Sequence, residues 1–367
     1  MSERTEKRKA EHIKICLDQF AQAKKATSGF EDIHLIHKAL PEINKQKIDL
    51  STEFLGHKLS APIIVGAMTG GTAEAAKINS IIAESVENLQ LGMGVGSQRV
   101  ALEDQNLEKT FAIAREKAPN AFLIANIGGV QLVHGYGTRE ITKIIEMIDA
   151  DAVAIHLNAL QEAIQPEGQT NFKGIIDKIG DIAEAINKPV IVKETGCGIA
   201  LEEAKKLEAA GVKAIDIGGV GGTSFAAVEF FRTQNEESHI QHLLGDAFWD
   251  WGIPTVTSIA EVSQKVNIPI IASGGVRTGL DIAKALAINA SLASIARPVL
   301  RTAVCGVKET SNLLSFLFAE LKNVMFLVGA ENIKDLTTIP VVITGKTAEW
   351  LSLRGIDLES FARRGVS

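Results

Sequence analysis

The sequence has few cysteines, and they do not form a metal-binding or disulfide pattern. Cys16, Cys197 and Cys305 are far apart and no CxxC pair occurs, which argues against a zinc knuckle or a dithiol centre. Three thiols without a disulfide framework are typical of a reducing compartment. We therefore expect a cytoplasmic protein.

Long apolar runs and an excess of positive charge are also missing. No stretch of about 18 apolar residues occurs, which predicts no membrane span. The charged start MSERTEKRKAEH lacks the apolar core of a signal peptide. The formal net charge is −6, so there is no general electrostatic case for binding nucleic acid.

Two nucleotide-binding fingerprints are incomplete. The segment TGKTAEW contains Gly345, Lys346 and Thr347, but Pro340 stands where a P-loop requires its first glycine. The segment GMGVG (92–96) has its glycines at the wrong spacing for a dinucleotide fingerprint. A doubly wound nucleotide-binding sheet is therefore the less favoured α/β architecture.

Short apolar runs alternate with longer amphipathic segments along the chain. Such runs separated by helices predict a parallel sheet covered on both faces, and eight units in about 250 residues suit a (β/α)8 TIM barrel. We predict a barrel over 61–329, an N-terminal arm (1–60) that contributes to the substrate site, and a helical C-terminal tail (330–367) packed on the barrel. The eight runs are PIIVG (62–66), LGMGVG (91–96), FLIANI (122–127), AVAIHL (152–157), PVIVK (189–193), AIDIG (214–218), IPIIAS (268–273) and LASIA (292–296).

Polar residues follow these runs, at the barrel end where active sites of this fold lie. The fourth run ends in HLNALQE (156–162), whose carboxylate beside an amide and an imidazole suits Mg²⁺. Glu162 could instead be a helix-start carboxylate stabilised by the helix dipole. Lys193 ends the fifth run. Its ammonium group either faces an anion or an electron-rich ring in the site, or extends to water at the rim of the barrel.

The seventh run continues into ASGGVRTG (272–279), which favours phosphate binding. Its two glycines allow close approach to the backbone, and the amide groups and dipole of a helix beginning near Thr278-Gly279 attract an anion. A plain tight turn is the alternative, but GGVGGTS (218–224) and Ala296-Arg297 support a phosphate site. The cluster EKRKAEH (6–12) is either a solvated face or an arm that closes over an anionic substrate.

Together these motifs resemble the flavin-dependent type 2 isopentenyl-diphosphate isomerases. The resemblance implies a barrel that binds FMN and Mg²⁺, is primed by NADPH or another reductant, and converts isopentenyl diphosphate to dimethylallyl diphosphate through the reduced flavin. It also implies a homo-oligomer, a tetramer or an octamer. The matching stretches span nearly the whole chain: RKAEHI (8–13), AMTGG (67–71), GSQR (96–99), HLNALQE (156–162), KETGCGI (193–199), GGTSF (221–225), DWGIPT (250–255) and SGGVRTGLD (273–281).

The resemblance also assigns roles to individual residues. It implies that Glu162 holds Mg²⁺ and that Lys193, His156 and Gln161 take part in catalysis. Gly218 and Phe225 depart from the pattern, because relatives carry Ser and often Trp there. The implied FMN contacts are Ala67, Met68, Thr69, Ser97, Asn126, Lys193, Thr223, Gly274, Gly275, Arg277, Ala296 and Arg297. The implied substrate contacts are Arg8, Lys9, His12, Ser97, Gln98, Arg99, His156, Asn158 and Gln161.

Two other functions remain open on the residues alone. An FMN-dependent oxidoreductase of the 2-hydroxy-acid oxidase type needs a base that activates a hydroxy acid and needs no diphosphate site. A flavin-binding protein without catalysis would keep the glycine-rich loops but would not need Arg99, Gln161 or Glu162. The joint presence of these three residues favours the isomerase.

Overall fold

The computed structural model describes residues 2–234 and 239–365, with the backbone alone described for 2–7 and 239. The strands are β1 (Ile33–Leu35), β2 (Thr52–Phe54), β3 (His57–Leu59), β4 (Ile63–Val65), β5 (Gly92–Gly94), β6 (Phe122–Gly128), β7 (Ala152–Leu157), β8 (Val190–Glu194), β9 (Ala214–Asp216), β10 (Ile270–Ala272), β11 (Leu292–Ile295) and β12 (Val341–Ile343).

The α-helices in these ranges are α1 (Ser2–Asp18), α2 (Ala73–Asn88), α3 (Arg99–Glu103), α4 (Lys109–Lys117), α5 (Gly129–Leu132), α6 (Thr138–Met147), α7 (Ala159–Ile164), α8 (Ile175–Ala185), α9 (Leu201–Ala209), α10 (Phe225–Arg232), α11 (His239–Ala247), α12 (Thr255–Ser263), α13 (Gly279–Ala287), α14 (Arg297–Ala303), α15 (Val307–Val328), α16 (Ile333–Leu336), α17 (Gly345–Leu353) and α18 (Glu359–Ala362). Short 3₁₀ helices occupy Phe30–Asp32, Lys45–Lys47 and Gln105–Leu107.

Eight parallel strands, β4 to β11, form a closed barrel in chain order. The barrel closes where β11 pairs with β4, with Ala293 opposite Ile63 and Ile295 opposite Val65. Each strand falls on one of the eight apolar runs, so the predicted (β/α)8 TIM barrel is confirmed.

The strands are apolar on both faces because each face packs against a different layer. Along β4, Ile63 and Val65 belong to the core between strands and helices, whereas Ile64 belongs to a cluster inside the barrel. The hairpin β2–β3 closes the amino-terminal end of the barrel, where Phe54 packs edge-on against Phe122 with ring centroids 5.7 Å apart. Burying one such side chain stabilises the fold by about 1.5–3 kcal/mol.

The proposed boundaries at residues 60 and 330 stay a prediction, but the arm and the tail contact each other. Strand β1 from the arm pairs antiparallel with β12 from the tail, with Ile33 opposite Ile343. The tail helix α17 also packs against α12 of the barrel. The arm and the tail therefore pack against each other on the outside of the barrel.

One helix in the described part of the chain, α15, is long and apolar enough to cross a membrane by length and composition. The sequence alone predicts no membrane span. In its most apolar window 28% of the residues are buried, and the helix packs against α13 and α2. A single helix of this kind is weak evidence for a span, because core helices have the same composition.

Candidate active site

A cavity of about 430 Å³ opens at the carboxyl ends of the barrel strands. It is lined by loops that follow six of the eight strands and by helix α1. The expected site residues that the structure brings to this cavity are Lys9, His12, Ala67, Met68, Thr69, Ser97, Lys193, Thr223, Gly274, Gly275, Arg277, Ala296 and Arg297.

Helix α1 lies across this opening of its own barrel. Lys9 Nζ donates to the carbonyl oxygens of Gly70 at 2.9 Å and Ser97 at 2.7 Å, which join the helix to the loops after β4 and β5. Arg297 holds the other end of α1, since its Nε donates to the carbonyl oxygen of Cys16 at 2.8 Å. The arm therefore contributes to the cavity of the same chain.

Two buried polar atoms in the cavity wall have no hydrogen-bond partner within the chain. They are Arg297 Nη1 and Thr69 Oγ1. A buried donor without a partner is costly, so Arg297 Nη1 indicates a bound acceptor such as a phosphate oxygen. The residues present thus fit a phosphate-bearing cofactor such as FMN.

The amide groups at the start of the helix that follows the SGGVRTG segment have partners within the chain. The amide groups of Arg277 and Thr278 both donate to Asp281 Oδ2 at 3.0 Å, and that of Gly279 donates to Glu320 Oε2 at 2.7 Å. Two carboxylates therefore already accept from these three amide groups, and the phosphate site expected at this segment stays a prediction. The loop at Gly275, upstream of this cap, lines the cavity.

The glycines of this loop serve close packing as well as ligand access. Gly274 has φ +98°, and a Cβ there would lie 2.1 Å from the carbonyl oxygen of Gly219. Because that contact is backbone, no rotamer change could relieve it. The loops after β9 and β10 can therefore pack side by side only with glycine at position 274.

Two charged residues end β8 at the cavity wall. Lys193 Nζ donates to the carbonyl oxygen of Glu194 at 2.7 Å. Burial raises the pKa of Glu194 to about 7, although amide donors including those of Cys197 and Gly196 oppose the shift. By accepting from these amide groups, the Glu194 carboxylate fixes the turn after β8. The ammonium group of Lys193 faces the cavity.

A second polar cluster lies beside the cavity, at the end of β7. His156 Nδ1 is 2.8 Å from Asn126 Oδ1, and burial together with the charges of Lys193 and Arg99 lowers the pKa of His156 to about 3. The imidazole is therefore neutral near pH 7. With Asn126 Oδ1 as acceptor, Nδ1 carries the proton and Nε2 presents a lone pair.

Glu162 and Asn158 form the part of this cluster that suits a hard cation. Asn158 Nδ2 donates to Glu162 Oε1 at 3.0 Å, and buried Asn158 Oδ1 has no partner in the chain. Glu162 Oε2 already accepts from Gln165 Nε2 at 2.6 Å. No group of three or more His, Cys, Asp or Glu suited to a metal occurs among the described residues. The donor set fits Mg²⁺ when water and a diphosphate supply the remaining oxygens.

The buried carboxylate of Glu229, which sequence reasoning missed, connects the arm to this cluster. Its Oε1 is 3.0 Å from His12 Nε2 and 3.4 Å from Gln161 Nε2, and its Oε2 accepts from Arg232 Nε at 2.7 Å. The sequence signal was a single acidic residue in the apolar segment FAAVEFF (225–231) of α10.

The remaining cations of the predicted substrate site are held by carboxylates. Arg8 Nη1 is 3.6 Å from Glu167 Oε1, and Arg99 Nε is 3.6 Å from Glu103 Oε1. Gln98 does not reach the cavity. It is fully buried, donates to the carbonyl oxygen of Ile144 at 2.9 Å and accepts from the amide of Asn126, so it joins elements rather than facing a ligand.

The two departures from the family pattern have local structural consequences. Gly218 has φ +53°, and a Cβ there would lie 2.1 Å from the carbonyl oxygen of Glu194, so this backbone excludes a side chain. Phe225 lines the cavity and meets the ring of His12 edge-on at 6.1 Å. Both positions thus shape the cavity wall.

Solved structures of two oxidases share this architecture. A (putative) lactate oxidase from Pediococcus acidilactici has a TM-score of 0.64 at 20% identity, covering 94% of each chain. A mandelate oxidase with (S)-2-phenylpropionate has a TM-score of 0.61 at 14% identity, covering 93% of this chain and 98% of the other. These likenesses establish the fold.

Sequence comparison defines first the class and then the family. Residues 1–116 and 143–342 match the FMN-dependent dehydrogenase family, so the chain is an FMN-binding TIM-barrel protein. Curated proteins named isopentenyl-diphosphate delta-isomerase are 48% identical in Methanosarcina barkeri and 49% identical in Pyrococcus abyssi, each alignment covering 99% of both chains. The chain belongs to this family of enzymes.

Proposed function

We propose that the enzyme converts isopentenyl diphosphate to dimethylallyl diphosphate, with reduced FMN as the acid and base and Mg²⁺ on the diphosphate. One observation carries the proposal. Lys9 and His12 of the arm line the same cavity as Lys193 and Arg297, and His12 is linked through Glu229 to Gln161. This arrangement supports a flavin site in the cavity and a diphosphate site between the arm and the polar cluster beside it.

The protein would bind each end of the FMN with different residues. Arg297 Nη1, buried and without a partner, would bind the phosphate, and Arg277 and Gly275 line the same region. Lys193 would face the ring and stabilise its anionic reduced form. When bound in that form, FMN would supply the group that donates a proton to the substrate and accepts one from it, since the cofactor carries the difficult chemistry.

The diphosphate would be bound between the arm and the end of β7. Lys9, Arg8 and Arg99 supply positive charge, and Arg offers a planar pair of donors to phosphate oxygens. Glu162 and the unpartnered Asn158 Oδ1 would hold Mg²⁺. Neutral His156 and Gln161 would order the diphosphate and the metal-bound water without adding charge.

An oxidase of 2-hydroxy acids is the second candidate, favoured by the shared fold. Such an enzyme needs a base that accepts a proton from its substrate. His156 is a poor base near neutral pH, because its pKa is held at about 3, and the carboxylate and amides at 158–162 have no role in that reaction. A flavin carrier without catalysis would also leave them without a role.

The decisive experiment is a turnover assay. Purified protein, FMN, Mg²⁺ and isopentenyl diphosphate are mixed anaerobically with and without NADPH, and dimethylallyl diphosphate is measured by NMR. We expect product only when the flavin is reduced, with no net consumption of reductant. An FMN-loaded protein that forms no product, and that instead oxidises lactate or mandelate, would contradict the proposal.

The state of the protein in the cell is also proposed. We propose a cytoplasmic homo-oligomer, a tetramer or an octamer, that binds neither nucleic acid nor membrane, with NADPH as its reductant. The three free cysteines and the net charge of −6 support the location and the absence of nucleic-acid binding. Sedimentation velocity of the purified protein tests the assembly.

A further inference from the structure

Asp216 is a buried carboxylate in the cavity wall for which the proposed reaction provides no role. It ends β9, is 5% exposed, and lines the cavity together with Lys193. The parallel register of β8 and β9 places the two residues opposite each other. Asp216 Oδ2 lies 3.8 Å from Lys193 Nζ. A buried carboxylate is costly unless charge and hydrogen bonds compensate it, so its position here requires an explanation.

The carboxylate is held from a second side by the loop after β10. Asp216 Oδ1 accepts a hydrogen bond from Ser273 Oγ, which itself accepts from the amide of Gly218 at 2.8 Å. Ser273 also lines the cavity. The negative charge is thus fixed between the end of β8 and the loop that carries the proposed phosphate site.

Lys193 does not depend on Asp216 for its position. Its Nζ donates to the carbonyl oxygen of Glu194 at 2.7 Å, which is a hydrogen bond, whereas 3.8 Å to Asp216 is an electrostatic contact. Removing the charge of Asp216 would therefore leave the ammonium group in place. What Asp216 contributes at the cavity wall is charge.

We propose that Asp216 balances the charge of Lys193 and so limits how strongly the site stabilises anionic reduced flavin. The inference deepens the proposed function and rests on its flavin site. Charges a few Å apart in a partly buried site are weakly screened. A base that is stabilised too strongly becomes a poor proton acceptor. A site that must both give and take a proton therefore benefits from an opposing carboxylate beside the lysine.

The test uses Asp216→Asn in the FMN-loaded enzyme, because the amide keeps the shape and removes the charge. The flavin reduction potential is measured anaerobically against a reference dye, and FMN affinity is measured by fluorescence titration. At a fixed dye potential we expect the ratio of reduced to oxidised flavin to rise by about tenfold, the effect of one charge a few Å away. FMN affinity should stay within about threefold of wild type.

A matched control removes a carboxylate at the opposite end of the barrel. Asp151 precedes β7 and lies 3.0 Å from Arg115 Nη2, so Asp151→Asn should leave the flavin potential unchanged. If Asp216→Asn does not yield folded protein, Asp216→Ser removes the same charge with a smaller side chain.

The outcomes separate the inference from the proposed function. An unchanged or lowered potential in the Asp216 variants would overturn the inference, and so would a loss of FMN affinity of about tenfold at an unchanged potential, which would make Asp216 a direct ligand of the cofactor. Wild-type protein that does not bind FMN would instead remove the flavin site on which both depend.

Discussion

The guanidinium group of Arg297 donates from Nε to the backbone carbonyl oxygen of Cys16 at 2.8 Å. A residue at the proposed phosphate end of the cavity therefore binds the last turn of the arm helix. A second nitrogen, Nη2, donates to the carbonyl oxygen of Gln19 at 2.8 Å, and Nη1 is buried without a partner. One side chain thus joins the arm, the barrel and the proposed phosphate site.

Replacement of Arg297 by Lys should weaken FMN binding by about tenfold to a hundredfold, the range for losing a hydrogen bond to a charged group. Lysine keeps the charge but cannot reach the phosphate while also holding both carbonyl oxygens. Fluorescence titration of the apoprotein with FMN measures the effect. The control is Arg363→Lys at an exposed ion pair with Glu359. Equal FMN affinity in the Arg297 variant and wild type would remove the phosphate role.

Glu162→Gln should raise the Mg²⁺ concentration required for half-maximal turnover by at least about tenfold. The amide retains one oxygen but loses the negative charge, while its neighbours Asn158 and Gln165 remain. Turnover is measured across a Mg²⁺ titration after chelation with EDTA. FMN affinity serves as the internal control, because Glu162 does not line the cavity. An unchanged Mg²⁺ requirement would assign Glu162 to the helix start instead.

The sequence predicted the barrel well because its eight apolar runs are unusually uniform. Patterns at the ends of the strands also led to several cavity residues, since Lys193 ends one run and Arg297 directly follows another. The pattern could not show that the Gln98 side chain bonds to the backbone of other elements, because a buried amide and a ligand-facing amide look alike in sequence. It also could not show that Glu320, 41 positions away in the chain, accepts from the amide of Gly279 at the N-terminus of α13.

Glu229 illustrates the same limit from the opposite direction. Its partners His12 and Gln161 lie 217 and 68 positions away, and only the closed barrel brings them together. Asp216 carried a weak signal, an acid within the apolar run AIDIG (214–218), but its meaning depends on the register with Lys193. Long-range pairing, rather than local pattern, therefore decides the roles of such residues.

His156 should make the protein less stable under mildly acidic conditions. Burial lowers its pKa in the folded protein to about 3, below the usual 6.5 of a histidine, so its contribution to stability is present above pH 6.5 and is lost as pH falls towards 3. Between pH 6.5 and pH 5 the loss is roughly 2 kcal/mol. Glu194, whose pKa is raised to about 7 from 4.5, acts in the opposite direction, since its contribution is lost as pH rises through 7.

The contribution of His156 is therefore measured by comparing how the free energy of unfolding changes with pH in wild type and in a variant without the imidazole. Urea unfolding of wild type and of His156→Gln is compared at pH 6.5 and pH 5, so that the effect of Glu194 cancels. We expect wild type to lose roughly 2 kcal/mol more than the variant over this interval. The control His37→Gln, at an exposed position, should lose the same unfolding free energy as wild type between pH 6.5 and pH 5. A wild-type pH dependence equal to that of His156→Gln would show that the imidazole is not held neutral.

Glu229→Gln should detach the arm from the cluster at the end of β7. Burial alone would raise the pKa of Glu229, but the hydrogen bond from His12 and the charge of Arg232 lower it overall, so the carboxylate is ionised and bonded on both sides. A glutamine cannot accept from all three partners. We expect the KM for isopentenyl diphosphate to rise by about tenfold with a smaller change in kcat, because in the proposed function the arm binds substrate rather than reacting with it. Limited proteolysis should cut the arm faster, whereas Glu359→Gln at the surface should match wild type. A variant with wild-type KM and an equally protected arm would show that Lys9 and Arg297 hold α1 without this network.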